Sequence, residues 1–119
     1  MKLFPSYTAN PKDIEYTINA ILDTLSIPEI NDDGDKYWYD EEGGFHRDNG
    51  PAKIYRDGAE EYFQHGSLHR LDGPAYIGSN GYKEYWVNGR LHREDAPAVI
   101  HEDGKEDYYE HGEPYSGPS

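Results

Sequence analysis

The chain reads as a mainly β protein, an antiparallel meander of 23-residue repeats led by one N-terminal capping helix. Three observations carry that expectation. The segment Phe45-His46-Arg47-Asp48-Asn49-Gly50-Pro51-Ala52 returns as Leu68-His69-Arg70-Leu71-Asp72-Gly73-Pro74-Ala75 and again as Leu91-His92-Arg93-Glu94-Asp95-Ala96-Pro97-Ala98, so His46, His69 and His92 lie 23 residues apart. A fixed period of this size marks a repeat architecture, in which each unit buries its apolar face only against its neighbours. Asn88-Gly89 separates Glu84-Tyr85-Trp86-Val87 from Arg90-Leu91-His92-Arg93, a strong hairpin signal because both central residues of a type I′ turn need positive φ. Ile14, Ile18, Ile21, Leu22 and Leu25 form the one apolar stripe with helical spacing.

The elements follow in chain order. Residues 10–25 predict the helix: Asn10 suits the N-cap, Pro11 the first helical position, and Asp13 the positive helix end. Pro28 ends it, and Asn31-Asp32-Asp33-Gly34-Asp35 forms an acidic turn. The stripe is expected to pack on the first repeats as a cap, with a partner-binding helix as the alternative. Residues 1–35 form this N-terminal segment. Residues 36–119 form the β-repeat region, three full repeats and a partial fourth in one compact domain.

Within each repeat, His65-Gly66 and His111-Gly112 take the place of Asn88-Gly89, while Asp57-Gly58, Asn80-Gly81 and Asp103-Gly104 mark the opposite turn. If Trp38 aligns with Phe63 and Trp86, the stretch Asp40-Glu41-Glu42-Gly43-Gly44 holds a two-residue insertion. The Gly-Pro step predicts a bulge or bend, since proline cannot donate to a ladder. About eight strands result, with a rise of about 9.6 Å per repeat. A two-residue turn at Asn88-Gly89 sets Val87 opposite Arg90, Trp86 opposite Leu91, Tyr85 opposite His92 and Glu84 opposite Arg93. One face is then expected to hold Trp86, Leu91, Phe63, Leu68, Trp38 and Phe45 with Glu61–Arg70 and Glu84–Arg93 pairs. The other is expected to present a Tyr–His row: Tyr37/His46, Tyr62/His69 and Tyr85/His92.

Composition narrows the function classes. Only 34% of the 119 residues are hydrophobic, and twelve Tyr accompany three Phe and two Trp, so amphipathic Tyr must cover much of the buried area. The net charge of −13, from 24 acidic and 11 basic residues, disfavours direct contact with nucleic acid or anionic membranes and favours basic protein surfaces. Zero cysteines exclude disulfides and thiolate metal sites and fit a reducing cytoplasm. No apolar run has the length of a membrane span, and none behind Met1 reads as a signal peptide.

The run Tyr82-Lys83-Glu84-Tyr85-Trp86-Val87-Asn88-Gly89-Arg90-Leu91-His92 resembles a MORN repeat in the order and spacing of its Tyr, Trp, Gly and His. Glu84, Arg93 and Asp95 stand where that family usually has glycine. The unit is more similar to the divergent His-Arg-X-Asp-Gly-Pro-Ala repeats of bacteriophage and bacterial proteins. The resemblance covers residues 36 to about 115. It implies protein or lipid contact and assembly, and brings no catalytic residue.

Three histidines in register invite a metal or acid–base reading. Ligands of one zinc lie about 2.0–2.1 Å from the ion, too close for residues one repeat apart. A structural ladder is therefore expected, with His on Tyr and Arg paired to Glu, and with no metal and no cofactor. His69 with Asp72 and Tyr62 supports a third-ranked enzyme reading. Against it, Ser67, Ser79 and Ser116 do not keep step with the histidines, and chemistry rarely needs three copies of one constellation. His101 and His111 lie among carboxylates that read as a solvated face. Acidic clusters at Asp32, Asp33, Asp35, Asp40, Glu41 and Glu42 and at Glu102, Asp103, Glu106, Asp107, Glu110 and Glu113 protect the sheet ends or form a binding surface.

The expectation is a non-enzymatic protein-interaction module, a small acidic phage-type inhibitor acting in the host cytoplasm on a host protein with a basic surface. On this expectation its regularly spaced carboxylates imitate phosphates. The contact candidates are Tyr62, His69, Tyr85, His92, Glu102, Asp103, Glu106, Asp107 and Glu110. A structural or assembly repeat is the alternative.

Overall fold

Short strands dominate because turn residues recur every few positions. In the computed structural model, which describes residues 27–118, the strands are β1 (Glu29–Ile30), β2 (Lys36–Tyr37), β3 (Lys53–Ile54), β4 (Glu60–Glu61), β5 (Phe63–Gln64), β6 (Ser67–Leu68) and β7 (Tyr76–Ile77). They continue as β8 (Lys83–Glu84), β9 (Trp86–Val87), β10 (Arg90–Leu91), β11 (Val99–Ile100), β12 (Glu106–Glu110) and β13 (Glu113–Tyr115). Nine of them form one antiparallel sheet in the order β1-β2-β3-β4-β7-β8-β11-β12-β13, and β5-β6 and β9-β10 are separate two-stranded hairpins. The protein is thus mainly β, with a meander-like sheet. The helix expected over residues 10–25 lies outside the described residues.

Two kinds of turn, each set by glycine, produce this layout. At one end of the sheet Tyr55 N donates to Ala59 O and Gly58 N to Tyr55 O (2.8 and 2.9 Å), with Gly58 at φ +96°. The same pair of bonds forms over Gly78–Tyr82 and His101–Lys105, with Gly81 and Gly104 at positive φ. This is the three-residue loop in which a left-handed residue closes a type I turn. Asp57, Asn80 and Asp103 brace it, each accepting the backbone N–H two residues on. At the other end Asn88 (φ +51°) and Gly89 (φ +78°) make the expected two-residue turn, and Val87 pairs with Arg90 and Trp86 with Leu91. His65-Gly66 and His111-Gly112 do the same.

The expected break was at the Gly-Pro step, and the structure adds a second one at Tyr62 and Tyr85. Ala52 N donates to Glu61 O whereas Tyr62 N donates to Ala75 O; likewise Ala75 N donates to Glu84 O and Tyr85 N to Ala98 O. Tyr62 and Tyr85 therefore hand the ladder from one neighbour to the next, a bulge that turns the chain out of the main sheet. At Tyr108, which pairs with Tyr115 of β13, β12 runs on unbroken to Glu110.

The unit phase also differs from the expected one. His46 N donates to Trp38 O as His69 N does to Tyr62 O and His92 N to Tyr85 O. Trp38 thus occupies the position of Tyr62 and Tyr85, and Tyr39, which bridges Phe45, that of Phe63 and Trp86. The first unit's insertion is one residue rather than two, because Tyr39 to Phe45 spans one position more than Phe63 to Leu68.

The core is thin and built from small residues. Ala52, Ala75 and Ala98, each following a proline, have no exposed surface; Trp38, Ala59 and Val99 are the other buried apolar residues among those described. Hairpin aromatics cover one sheet face: Phe45 lies 5.9 Å from Tyr37 and 5.3 Å from Phe63 between ring centroids, and Lys53 Nζ caps Phe45 at 4.0 Å. Because Ala75 has no room around it, Ala75→Leu is expected to lower unfolding free energy by about 1–3 kcal/mol through overpacking, measurable by urea denaturation.

Candidate functional site

The recurring histidines act on the turns of the following unit. In a two-residue turn the central N–H groups ordinarily face water. Here Gly66 N donates to Phe45 O (2.8 Å), Gly89 N to Leu68 O (2.9 Å) and Gly112 N to Leu91 O (2.8 Å). The preceding turn residue donates to an imidazole: His65 N to His46 Nδ1 (3.1 Å), Asn88 N to His69 Nδ1 (2.9 Å) and His111 N to His92 Nδ1 (2.9 Å). Both turn donors are thereby held by the unit before. Accepting at Nδ1 fixes each of these histidines as the tautomer protonated at Nε2. Two turn histidines also stack on their acceptors, His65 on His46 at 4.1 Å and His111 on His92 at 4.3 Å.

Arginine takes the position expected for histidine. The guanidinium of Arg47 lies 4.0 Å from the Trp38 ring centroid, that of Arg70 3.9 Å from Tyr62 and that of Arg93 3.9 Å from Tyr85. Nη1 of each donates to the carbonyl of the proline four residues on, at 3.3, 3.1 and 3.1 Å. Each arginine thus ties an aromatic ring to the loop between them. A Cβ on Gly73 would stand 2.9 Å from Arg70 Cζ, so the guanidinium would have to shift to admit one. The third unit carries Ala96 there, and Asp95 beside it has φ +57°.

The expected Glu61–Arg70 and Glu84–Arg93 pairs are replaced by tyrosine contacts. Glu61 accepts from Tyr55 Oη, and Glu84 accepts from Tyr82 Oη (2.7 Å) and Trp86 Nε1 (3.0 Å). Arg70 Nε meets Asp72 Oδ1 at 3.2 Å instead. The Tyr37/His46 pair does not form either, because Tyr37 pairs with Glu29 and Lys53 in the main sheet.

The candidate contact residues fall in separate places. Tyr62 and His69 line a shallow groove of about 640 Å³ with Arg47, Gln64 and Arg70. Tyr85 and His92 line the next, of about 520 Å³, with Arg70 and Arg93; Leu71, 80% exposed, stands between the two. Glu102 and Asp103 border a third hollow with Asn80, Tyr82, His101 and Lys105. Glu106, Asp107 and Glu110 are exposed on β12, where Asp107 Oδ2 meets His101 Nε2 at 2.7 Å. The paired grooves escaped the sequence reading, although the arginine after each of His46, His69 and His92 was their signal.

Local hydrogen bonds set the electrostatics. The His65 side chain and the Gly44 N–H lower the pKa of Asp40, and the Arg56 N–H and Asn31 lower that of Asp35. Desolvation, then the bond to a carboxylate, raises Tyr55 and Tyr82 above the ordinary tyrosine value of 10.0. These tyrosines keep their protons when the unfolded chain has lost them, so their stabilisation is complete below pH 10.0 and fades above it. The expected result is cooperative alkaline unfolding coincident with the rise of tyrosinate absorbance. Tyr55→Phe together with Tyr82→Phe should move that transition to higher pH.

For the histidine interlock, His69→Ala should lower stability by about 1 kcal/mol. It should also speed amide exchange at Asn88 while leaving exchange at Tyr55 unchanged. Comparison with known proteins adds no relative: no family model, no curated protein and no solved structure matches the chain.

Proposed function

We propose that the chain is a non-enzymatic protein-interaction module of MORN-like 23-residue repeats. Its proposed role is that of a small acidic phage-type inhibitor that binds a host protein in the host cytoplasm. The observation that carries this reading is the employment of the recurring side chains. The histidines hold turns and the arginines hold loops in successive units, which accounts for their repetition without catalysis. What remains distinctive is charge. Glu102, Asp103, Glu106 and Glu110 are exposed at one end of a protein of net charge −13. On this reading they face a basic, nucleic-acid-binding surface in place of phosphates. The N-terminal stripe of Ile14 to Leu25 serves as the cap at the β1 edge, where Ile27, Ile30 and Tyr39 are exposed.

A pull-down with tagged protein from bacterial lysate, washed at low and then high salt, tests the proposal. One stoichiometric nucleic-acid-binding partner released by salt is expected, since exposed charge pairs are screened beyond about 8–10 Å. Reversing Glu102, Glu106 and Glu110 to Lys should abolish capture. A partner that resists salt and is lost on Tyr62→Ala or Tyr85→Ala would move the interface to the grooves. Absence of any partner at either salt would sink the inhibitor reading.

A further inference from the structure

The sheet face away from the hairpins carries a pattern of its own. Hairpin aromatics pack on the side of Tyr37 and Lys53. Neighbouring residues of a strand point to opposite faces, so Lys36 and Ile54 lie on the other side. Continuous register extends that row across eight strands: Ile30↔Lys36↔Ile54↔Glu60↔Ile77↔Lys83↔Ile100↔Glu106. Isoleucine occupies every second strand, and the charges between alternate as Lys36, Glu60, Lys83 and Glu106. Lys36, Lys83 and Glu106 are exposed, Ile30 is 59% exposed, and Ile54, Ile77 and Ile100 are half-buried. No described residue hydrogen-bonds to or ion-pairs with these four charged side chains.

The row is complementary to its own reverse. Counted outward from Ile77, Glu60 and Lys83 are the first neighbours, Ile54 and Ile100 the second, Lys36 and Glu106 the third. Reversal about Ile77 therefore exchanges acid with base at both charged positions and isoleucine with isoleucine between them. We propose that this face joins a second copy of the chain about a twofold axis running along the strands over Ile77. Ile77 then meets Ile77 of the second copy, Glu60 meets its Lys83, Ile54 its Ile100 and Lys36 its Glu106. An isologous contact needs this self-complementarity, and two sheet faces pack about 10 Å apart with side chains of this size between them. Sheet twist concentrates the contact at the centre, so Ile77 and the two Glu60–Lys83 pairs dominate. The inhibitor reading concerns the acidic end and shares Glu106 with this face, whereas Glu60 and Lys83, which the test exchanges, belong to this face alone.

Charge exchange on the full chain, read by sedimentation over a wide concentration range, tests it. Wild-type protein should be dimeric. Lys83→Glu alone and Glu60→Lys alone should each weaken dimerisation about 100-fold, since each places like charges together twice. An equimolar mixture of the two variants should recover a heterodimer of near wild-type strength, because each then supplies the charge the other lacks. Circular dichroism checks that each variant is folded, and Lys83→Ala, expected to weaken the dimer about tenfold, replaces any that is not. Wild-type protein that stays monomeric at every concentration would overturn the proposal. Monomers that dimerise only after Ile18→Asp and Leu22→Asp would assign the face to the N-terminal stripe and overturn it too. A dimer untouched by Lys83→Glu and Glu60→Lys would place the contact elsewhere.

Discussion

The fold depends on where the N–H groups of the tight turns go. A type I′ turn projects two donors outward, and in an isolated hairpin water takes them. Here the preceding unit supplies a carbonyl and an imidazole Nδ1 at the required spacing for all three two-residue turns. That contact explains why the hairpins leave the main sheet and still form an ordered row. It also explains why histidine is the repeated residue: it offers a rigid acceptor bonded directly to the carbon by which the ring is attached, one residue after the carbonyl that takes the second donor. A lysine or arginine in that place could only donate.

Packing follows from that stitching rather than from a large apolar interior. The most completely buried side chains are the three alanines after the prolines, and no large side chain among the described residues is fully enclosed. Rings gain their cover from stacked cations and from one another: guanidinium on Trp38, Tyr62 and Tyr85, ammonium on Phe45. This suits a chain rich in tyrosine and poor in aliphatic residues, since amphipathic rings tolerate a half-exposed surface. Contacts between successive hairpins that bring polar and aromatic groups together leave each hairpin dependent on its neighbours.

Much of this was legible in the sequence, and the failures have a common cause. Asn88-Gly89 announced its turn and its register because both rest on local φ preference. The mainly β character and antiparallel order followed from the spacing of such turns. The phase of Trp38 was missed because tryptophan, tyrosine and phenylalanine are interchangeable to a pattern of ring types. Only the hydrogen bond from His46 N to Trp38 O shows which ring opens the unit. The Glu61–Arg70 pair was misjudged for a related reason. The bulge at Tyr62 separates the hairpin from the ladder, and no residue between Glu61 and Arg70 signals that break. Of the contact candidates, the Tyr62/His69 and Tyr85/His92 groupings were visible because two-residue turns fix cross-strand neighbours. Their arginine lids were not, since a guanidinium carried on three methylenes has many reachable partners.

The stitching runs both ways across a seam. Asn88 N and Gly89 N reach back to the unit before, while Arg70 N of that unit reaches forward to Trp86 O; His111 N, Gly112 N and Arg93 N repeat the pattern one unit on. Under tension along the row, a hairpin therefore parts from its neighbour only when three backbone donors let go together, so each of these seams yields as a single step rather than bond by bond.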